Sequence, residues 1–427
     1  MITKKQAVCR EIGAKNPVHL IEESYQCGLK ILQPSERDLQ HGLELHRQSL
    51  VIDAYGFGPQ GIARVERYKQ LIESNATPLE IQDFLENEKM TRWAFDEAQQ
   101  REAIKAWQAS GVNCIFVNAG EESNQVTTVL HRLARRSYAA NAAPHVCTRA
   151  FDPADIQRAG EEGKHCYYMS ANGVPLANRH QYPEEELRFI QTFFQLGTRM
   201  MHLTYNRANA IGDGCGEARN GGLTDFGRAV IKEMNRVGVI VDAAHCGEQT
   251  SLDAARCSDR PMVVSHSMCR ALVDHARAKS DEVVRAVADS GGFIGIVALA
   301  TFLKRSYDLN AMLDHLAYAI DTFGADHVAI ATDVGYTLEP VDDFEPGLSQ
   351  IIKPTTRAAW RSLSPYNTSS PIPDGWPREK ELSLRWTNFP LYTVGLVQRG
   401  YSDDTIRKVL GGNAIRVAKA SWDQRDP

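Results

Sequence analysis

The sequence predicts a (β/α)8 barrel, a ring of eight parallel strands with helices packed outside it. Three observations lead there. Eight short apolar runs punctuate the 427 residues, and each is followed by a helix-like stretch. Most of these runs are continuously apolar instead of alternating, as parallel strands covered by helices require. Two of them end in histidine, VGVIVDAAH at His245 and MVVSHS at His266, and the carboxyl ends of barrel strands are where such folds build their sites.

The candidate strands are 49–55, 113–119, 166–171, 199–205, 238–244, 261–266, 292–299 and 327–333. Between them, 127–138, 184–197, 225–238 and 311–324 carry apolar residues at helical spacing with charges opposite. Gly197, Gly238 and Gly324 stand where a helix end wants positive φ. A doubly wound sheet shares this alternation, but it would show a glycine-rich phosphate turn after an early strand. None is evident here. Residues 1–48 read as a helical N-terminal extension to a barrel domain spanning 49–427. That domain carries a charged helical insertion at 60–110 and a Pro-, Ser- and Asp-rich segment at 334–380, expected to be a lid or a dimer contact. The tail from Leu382 to about Trp422 returns to helix, with Ser402 as a cap and Gly411 and Gly412 as a stop.

Composition narrows the function. A content of 43% hydrophobic and 24% charged residues supports a large core. A net charge of -5 gives no basic surplus for phosphate backbones, so a small-molecule substrate is expected instead of nucleic acid. Nine scattered cysteines without a CxxC pair read as reduced thiols. The first residues lack an apolar signal core and no run approaches the ~20 apolar residues of a membrane span. The expectation is a cytoplasmic protein with no membrane contact.

Imidazole is the usual neutral nitrogen ligand of zinc, and two histidines from adjacent strand ends can converge on one ion. A lone buried histidine is more often satisfied by a neighbour, but His245 and His266 at successive strand ends favour a site. Asp333 follows HVAIAT at another strand end, where a carboxylate can take a proton or merely cap a helix. Arg277, in DHARAK, could hold a substrate carboxylate through its planar fork, against the bland reading of a solvated surface arginine. Cys246 and Cys215 are further thiols that could act as nucleophiles, though inert buried thiols are commoner.

Five segments, GGLTDFGRAVIKEMNRVGVIVDAAH, RPMVVSHSMCRALVDHAR, GGFIGI, IATDVG and VQRGYSDDTIRKVLGGNAIRV, together resemble the membrane (renal) dipeptidase family, the M19 metallopeptidases of the amidohydrolase-like barrels, over about 185–420. The resemblance implies that His245 and His266 are metal ligands, Asp333 the catalytic aspartate and Arg277 the arginine that binds the substrate's terminal carboxylate. It also implies a homodimer. The family's first strand ends in a His-x-Asp pair, where this chain has Tyr55 and Phe57. Its bridging glutamate falls at Ala171 and Asn172, and its LTH histidine at Tyr205.

Counting ligands, the two-metal centre is not expected to form, while one divalent metal, zinc by preference, could sit on His245 and His266. Tyr55, Phe57 and Tyr205 make the pocket aromatic and, with Asn172 and Arg277, suit a small zwitterionic, amino-acid-like compound. Three readings follow. The first is a hydrolase of a dipeptide or small amino-acid-derived amide, with Asp333 and Tyr205 as its catalytic groups. The second is metal-independent acid/base chemistry by Asp333 with a tyrosine. The third is an inactive relative with a binding role.

Overall fold

The computed structural model describes residues 17–119, 125–177, 182–303, 305–338 and 377–426. Eight parallel strands form the expected ring. In spatial order these are β1 (Ile52–Gly56), β3 (Cys114–Asn118), β5 (Cys166–Ala171), β6 (Thr198–His202), β7 (Ile240–Asp242), β8 (Val263–Ser267), β9 (Phe293–Ile296) and β10 (Val328–Ile330). A two-residue strand, β4 (Thr148–Arg149), pairs with β5 outside this path. Each apolar run of the sequence supplies one barrel strand, and these strands are buried along their whole length, which is why they read as unbroken apolar stretches.

The seam between β10 and β1 is held by a side chain. The Asp53 carboxylate accepts from Thr332 N at 2.9 Å, Thr332 Oγ1 at 2.7 Å and Trp386 Nε1 at 3.1 Å. Asp333 N donates to Tyr55 O at 2.9 Å just above it. Beyond the seam a short parallel ribbon, β2 (Gly58–Gln60) with β11 (Gly335–Thr337), continues the two chains toward the carboxyl end of the barrel.

The outer helices follow the apolar stripes. Residues Val126–Ala142, Pro183–Gln195, Asp225–Val237 and Leu309–Phe323 are helical, and Gly197, Gly238 and Gly324 all have positive φ. At the start of Asp225–Val237 the Thr224 side chain accepts from Gly227 N, satisfying an amide that the helix itself leaves unpaired. The expected insertion contains three helices, Val65–Glu73, Pro78–Thr91 and Glu97–Ser110, the last of which leads into β3 as a barrel helix should. The N-terminal helices Pro17–Leu32 and Glu36–Gln48 pack against the C-terminal helices Arg378–Ser383 and Phe389–Gln398, so the two chain ends build one layer.

One expectation is corrected. Gly411 and Gly412 do not stop the tail: the chain runs as one continuous helical path from Asp403 to Asp423, with a wider π turn over Lys408–Gly412. Gly411 serves close approach, since a Cβ there would meet Leu50 O at 2.3 Å. Most of the Pro-rich segment, 339–376, lies outside the described residues, as do 1–16. No described helix is long and apolar enough to cross a membrane.

Candidate active site

Five strands aim side chains into the carboxyl end of the ring: Tyr55 from β1, Asn172 just past β5, His202 from β6, Asp242 and then His245 from β7, and His266 from β8. The parallel register sets this up, because every strand ends on the same face and the loops that follow hold the remaining groups. His245 Nε2 and His266 Nε2 lie 3.0 Å apart. His245 Nδ1 donates to Asn206 Oδ1 at 2.7 Å, which leaves its Nε2 lone pair facing the partner ring. His266 Nδ1 is 2.8 Å from Ser265 Oγ, a hydroxyl able to accept or donate. When Ser265 donates, His266 Nε2–H donates to His245 Nε2; when Ser265 accepts, two lone pairs face each other, an arrangement that a shared cation stabilises.

Burial pushes both imidazoles well below the usual histidine range, and the nearby Arg277 charge pushes them further. Both are therefore neutral, the form that binds a metal. Aromatic rings fix their planes. Tyr55 stacks on His266 with centroids 3.8 Å apart, and Tyr205 stacks on His245 at 3.9 Å. Phe57 meets the edge of Tyr55 at 6.2 Å.

The Tyr55 hydroxyl donates to Asn172 Oδ1 in a buried hydrogen bond. Burial, followed by the Asp333 charge, holds that phenol well above its ordinary pKa, so it remains a neutral donor. Where the resembling family has a histidine and a carboxylate, this chain has two neutral groups bonded to each other. Neither of these two groups offers a second cation an anionic donor, and the Tyr55 ring already covers His266.

Asp333 is half-buried and sits at φ 56°, a left-handed conformation that aspartate tolerates better than most residues. Burial raises its carboxyl to about 7, against the lowering pull of Arg277. Arg277 is not the solvated arginine of the bland reading. It is 1% exposed, and its guanidinium donates to Ala244 O and, at 3.2 Å, to His266 O, tying together the ends of β7 and β8. The two thiols have ordinary structural surroundings: Thr204 Oγ1 donates to Cys246 Sγ at 3.2 Å, Cys215 Sγ donates to Asn206 Oδ1 at 3.3 Å, and burial raises both. Neither is an activated thiolate.

All of the residues singled out from the sequence thus gather at one end of the barrel. Three others were not anticipated: His202, Asp242 and Asn206. His202 ends the observed strand β6, but it falls inside the run 199–205 expected from the sequence, so the strand-end pattern did not mark it. Asp242 lies inside an apolar run and Asn206 in a loop, where nothing distinguishes them locally. The donor set fits a single divalent ion: two neutral imidazoles lie at ligand spacing, and beside them the buried His202 pairs with Asp242 while its Nδ1 has no hydrogen-bond partner among the described residues.

The sequence profile of the membrane dipeptidase family, peptidase family M19, matches residues 56–350, more than half of the chain. The dipeptidase verJ of Clonostachys rogersoniana is 26% identical over 235 residues, which cover 53% of this chain and 50% of that protein. The dipeptidase tcpJ of Claviceps purpurea is 26% identical over 274 residues, covering 63% and 54%. The chain therefore spans about half the length of these curated relatives. The crystal structure of an amidohydrolase from Pseudomonas aeruginosa superposes with a TM-score of 0.64 at 25% identity, covering 90% of this chain and 99% of that one.

Proposed function

Since the chain belongs to the membrane dipeptidase family, peptidase family M19, we propose that it is a dipeptidase-like hydrolase of a dipeptide or small amino-acid-derived amide, using one divalent cation, zinc by preference. The observation that carries this reading is the pair of neutral imidazoles, His245 and His266, with Nε2 atoms 3.0 Å apart. These two residues would hold the cation. When bound, it supplies Lewis acidity to the amide carbonyl.

The chain's own groups account for the rest. Asp333, poised at about 7, removes a proton from the attacking water and returns one to the leaving amine. Tyr205, stacked on His245, places a neutral hydroxyl donor where the family has its LTH histidine. Arg277 fixes the two histidine-bearing strand ends, and its charge, felt by Asp333 and both imidazoles, draws the substrate carboxylate to this end of the barrel. The rings of Tyr55 and Tyr205 wall the pocket for a small zwitterion.

The Tyr55–Asn172 bond, standing in place of two family ligands, favours as second reading a metal-independent proton transfer by Asp333 on the same class of compound. The full chain, supplied with zinc, is incubated with dipeptides of both chiralities and released amino acids are measured. Release is expected, with Asp333→Asn lowering kcat by about 10²–10⁴-fold. Absence of release from every dipeptide, with or without metal, contradicts the hydrolase reading.

A further inference from the structure

The barrel interior holds an imidazole at a position the resemblance does not name. His202 and Asp242, the last residues of β6 and β7, are register partners on adjacent strands, and both have zero solvent exposure. Asp242 Oδ1 accepts from Ala244 N at 2.9 Å and from Ser265 N at 3.0 Å. Its other oxygen, Oδ2, lies 2.6 Å from His202 Nε2. Oδ2 and His202 Nε2 thus form a buried ion-pair contact outside strict hydrogen-bond geometry, and His202 Nδ1 has no hydrogen-bond partner among the described residues.

An ion pair with Asp242 accounts for His202 Nε2 and leaves its Nδ1 unexplained. An imidazolium at 202 would aim an N–H at the carboxylate and leave the buried Nδ1–H without an acceptor, at a cost of about 1–3 kcal/mol. The atoms do match a coordination shell. The donor atoms of His202, Asp242 and His266 all lie within 4.8 Å of one another, and bonds of about 2.0–2.2 Å to a zinc-type ion let a small closing movement bring three such donors onto one centre. Two imidazoles with one carboxylate select a transition-metal ion of the zinc kind over magnesium or calcium. The carboxylate also supplies the negative charge that His245 and His266 lack.

We infer that His202, Asp242 and His266 form a mononuclear transition-metal site, with His245 completing the shell from its position 3.0 Å from His266 Nε2. The donors lost on the first and third barrel strands are replaced by donors on the fourth and fifth, and the cation lies toward these more deeply buried residues. This site goes beyond the hydrolase reading, since it requires only that metal bind, whatever the substrate.

The test is cobalt(II) titration of the full chain after chelator treatment, read by visible absorption and by metal content after desalting. Wild type is expected to take up one equivalent. His202→Gln and Asp242→Asn are each expected to weaken binding by at least about 10–100-fold and to change the absorption spectrum. Asp242→Asn keeps the Oδ1 acceptor for both backbone amides, so it reports on the site if His202→Gln fails to fold. Failure of wild type to bind cobalt, or wild-type affinity in both variants, overturns the inference. The dipeptide assay run in parallel separates the two ideas. Cleavage that persists in variants of unchanged cobalt affinity keeps the hydrolase and removes this site, whereas cobalt bound through His202 without cleavage keeps the site and removes the hydrolase.

Discussion

Asp333 is the residue whose surroundings constrain the chemistry most. Its burial holds the carboxyl at about 7, far above the ordinary aspartate range. A base of that kind works only when ionised, so kcat/KM for dipeptide cleavage is expected to rise with pH up to about 7 and then level. A pH–rate profile checks this, and an acid limb near 4 would remove Asp333 from the role. Tyr55 and Asn172 lie bonded to each other beside His266. If their mutual bond and the neighbouring Phe57 exclude a second ion, then Tyr55→His, Phe57→Asp and Asn172→Glu together should raise bound zinc from one to two equivalents, read by elemental analysis. At this scale the sequence offered His245, His266, Asp333 and Arg277 as candidates, because each sits at or after a strand end. It concealed the partnership of His202 with Asp242, which exists only through the pairing of β6 with β7.

Among the elements, the strands were legible in number and place, since burial on both faces makes each an apolar run, but not in length: 166–171 coincides with β5, whereas 238–244, 292–299 and 327–333 overrun β7, β9 and β10 at both ends. The seam was not legible. Asp53 lies in an apolar run, and its role depends on Thr332 and Trp386, 279 and 333 residues away. Removing its carboxylate strands three buried donors at the joint between β10 and β1. Asp53→Ala is therefore expected to cost about 3 kcal/mol or more in denaturant unfolding, and an unchanged midpoint would show that the seam is held by other contacts. The glycine pair at 411 and 412 was misread for a related reason. Glycine marks a helix end when φ is positive, but here it marks close packing of helix on strand, and local sequence does not separate the two.

At the scale of the whole molecule, the N- and C-terminal helices share one layer, and a buried histidine joins it to the helix that leads into β3. His46 donates from Nε2 to Ser110 O at 2.9 Å and accepts at Nδ1 from Thr393 Oγ1 at 2.8 Å. Burial lowers it to about 4 from an ordinary 6.5. Its folded form resists protonation, so its contribution is intact above pH 6.5 and is lost as pH falls from there toward 4, at about 1.4 kcal/mol per pH unit. Asp53, raised to about 7, contributes with the opposite sign, which makes the difference between wild type and His46→Gln the informative quantity. In denaturant unfolding that difference is expected to shift in favour of the variant as pH falls through this window, and a constant difference would contradict the assignment. The barrel, its helices and the joined termini could be anticipated from periodicity and chain order, whereas the pairing of distant titratable groups needed the fold.

The central claim is that the carboxyl end of the barrel holds one cation among His202, Asp242, His245 and His266. Anomalous diffraction at the zinc edge from zinc-loaded crystals tests it most directly. One peak within bonding distance of His266 Nε2, on the side of His202 and Asp242, is the result the account predicts. Two peaks, a peak between Tyr55 and Asn172, or no peak at these histidines would contradict it.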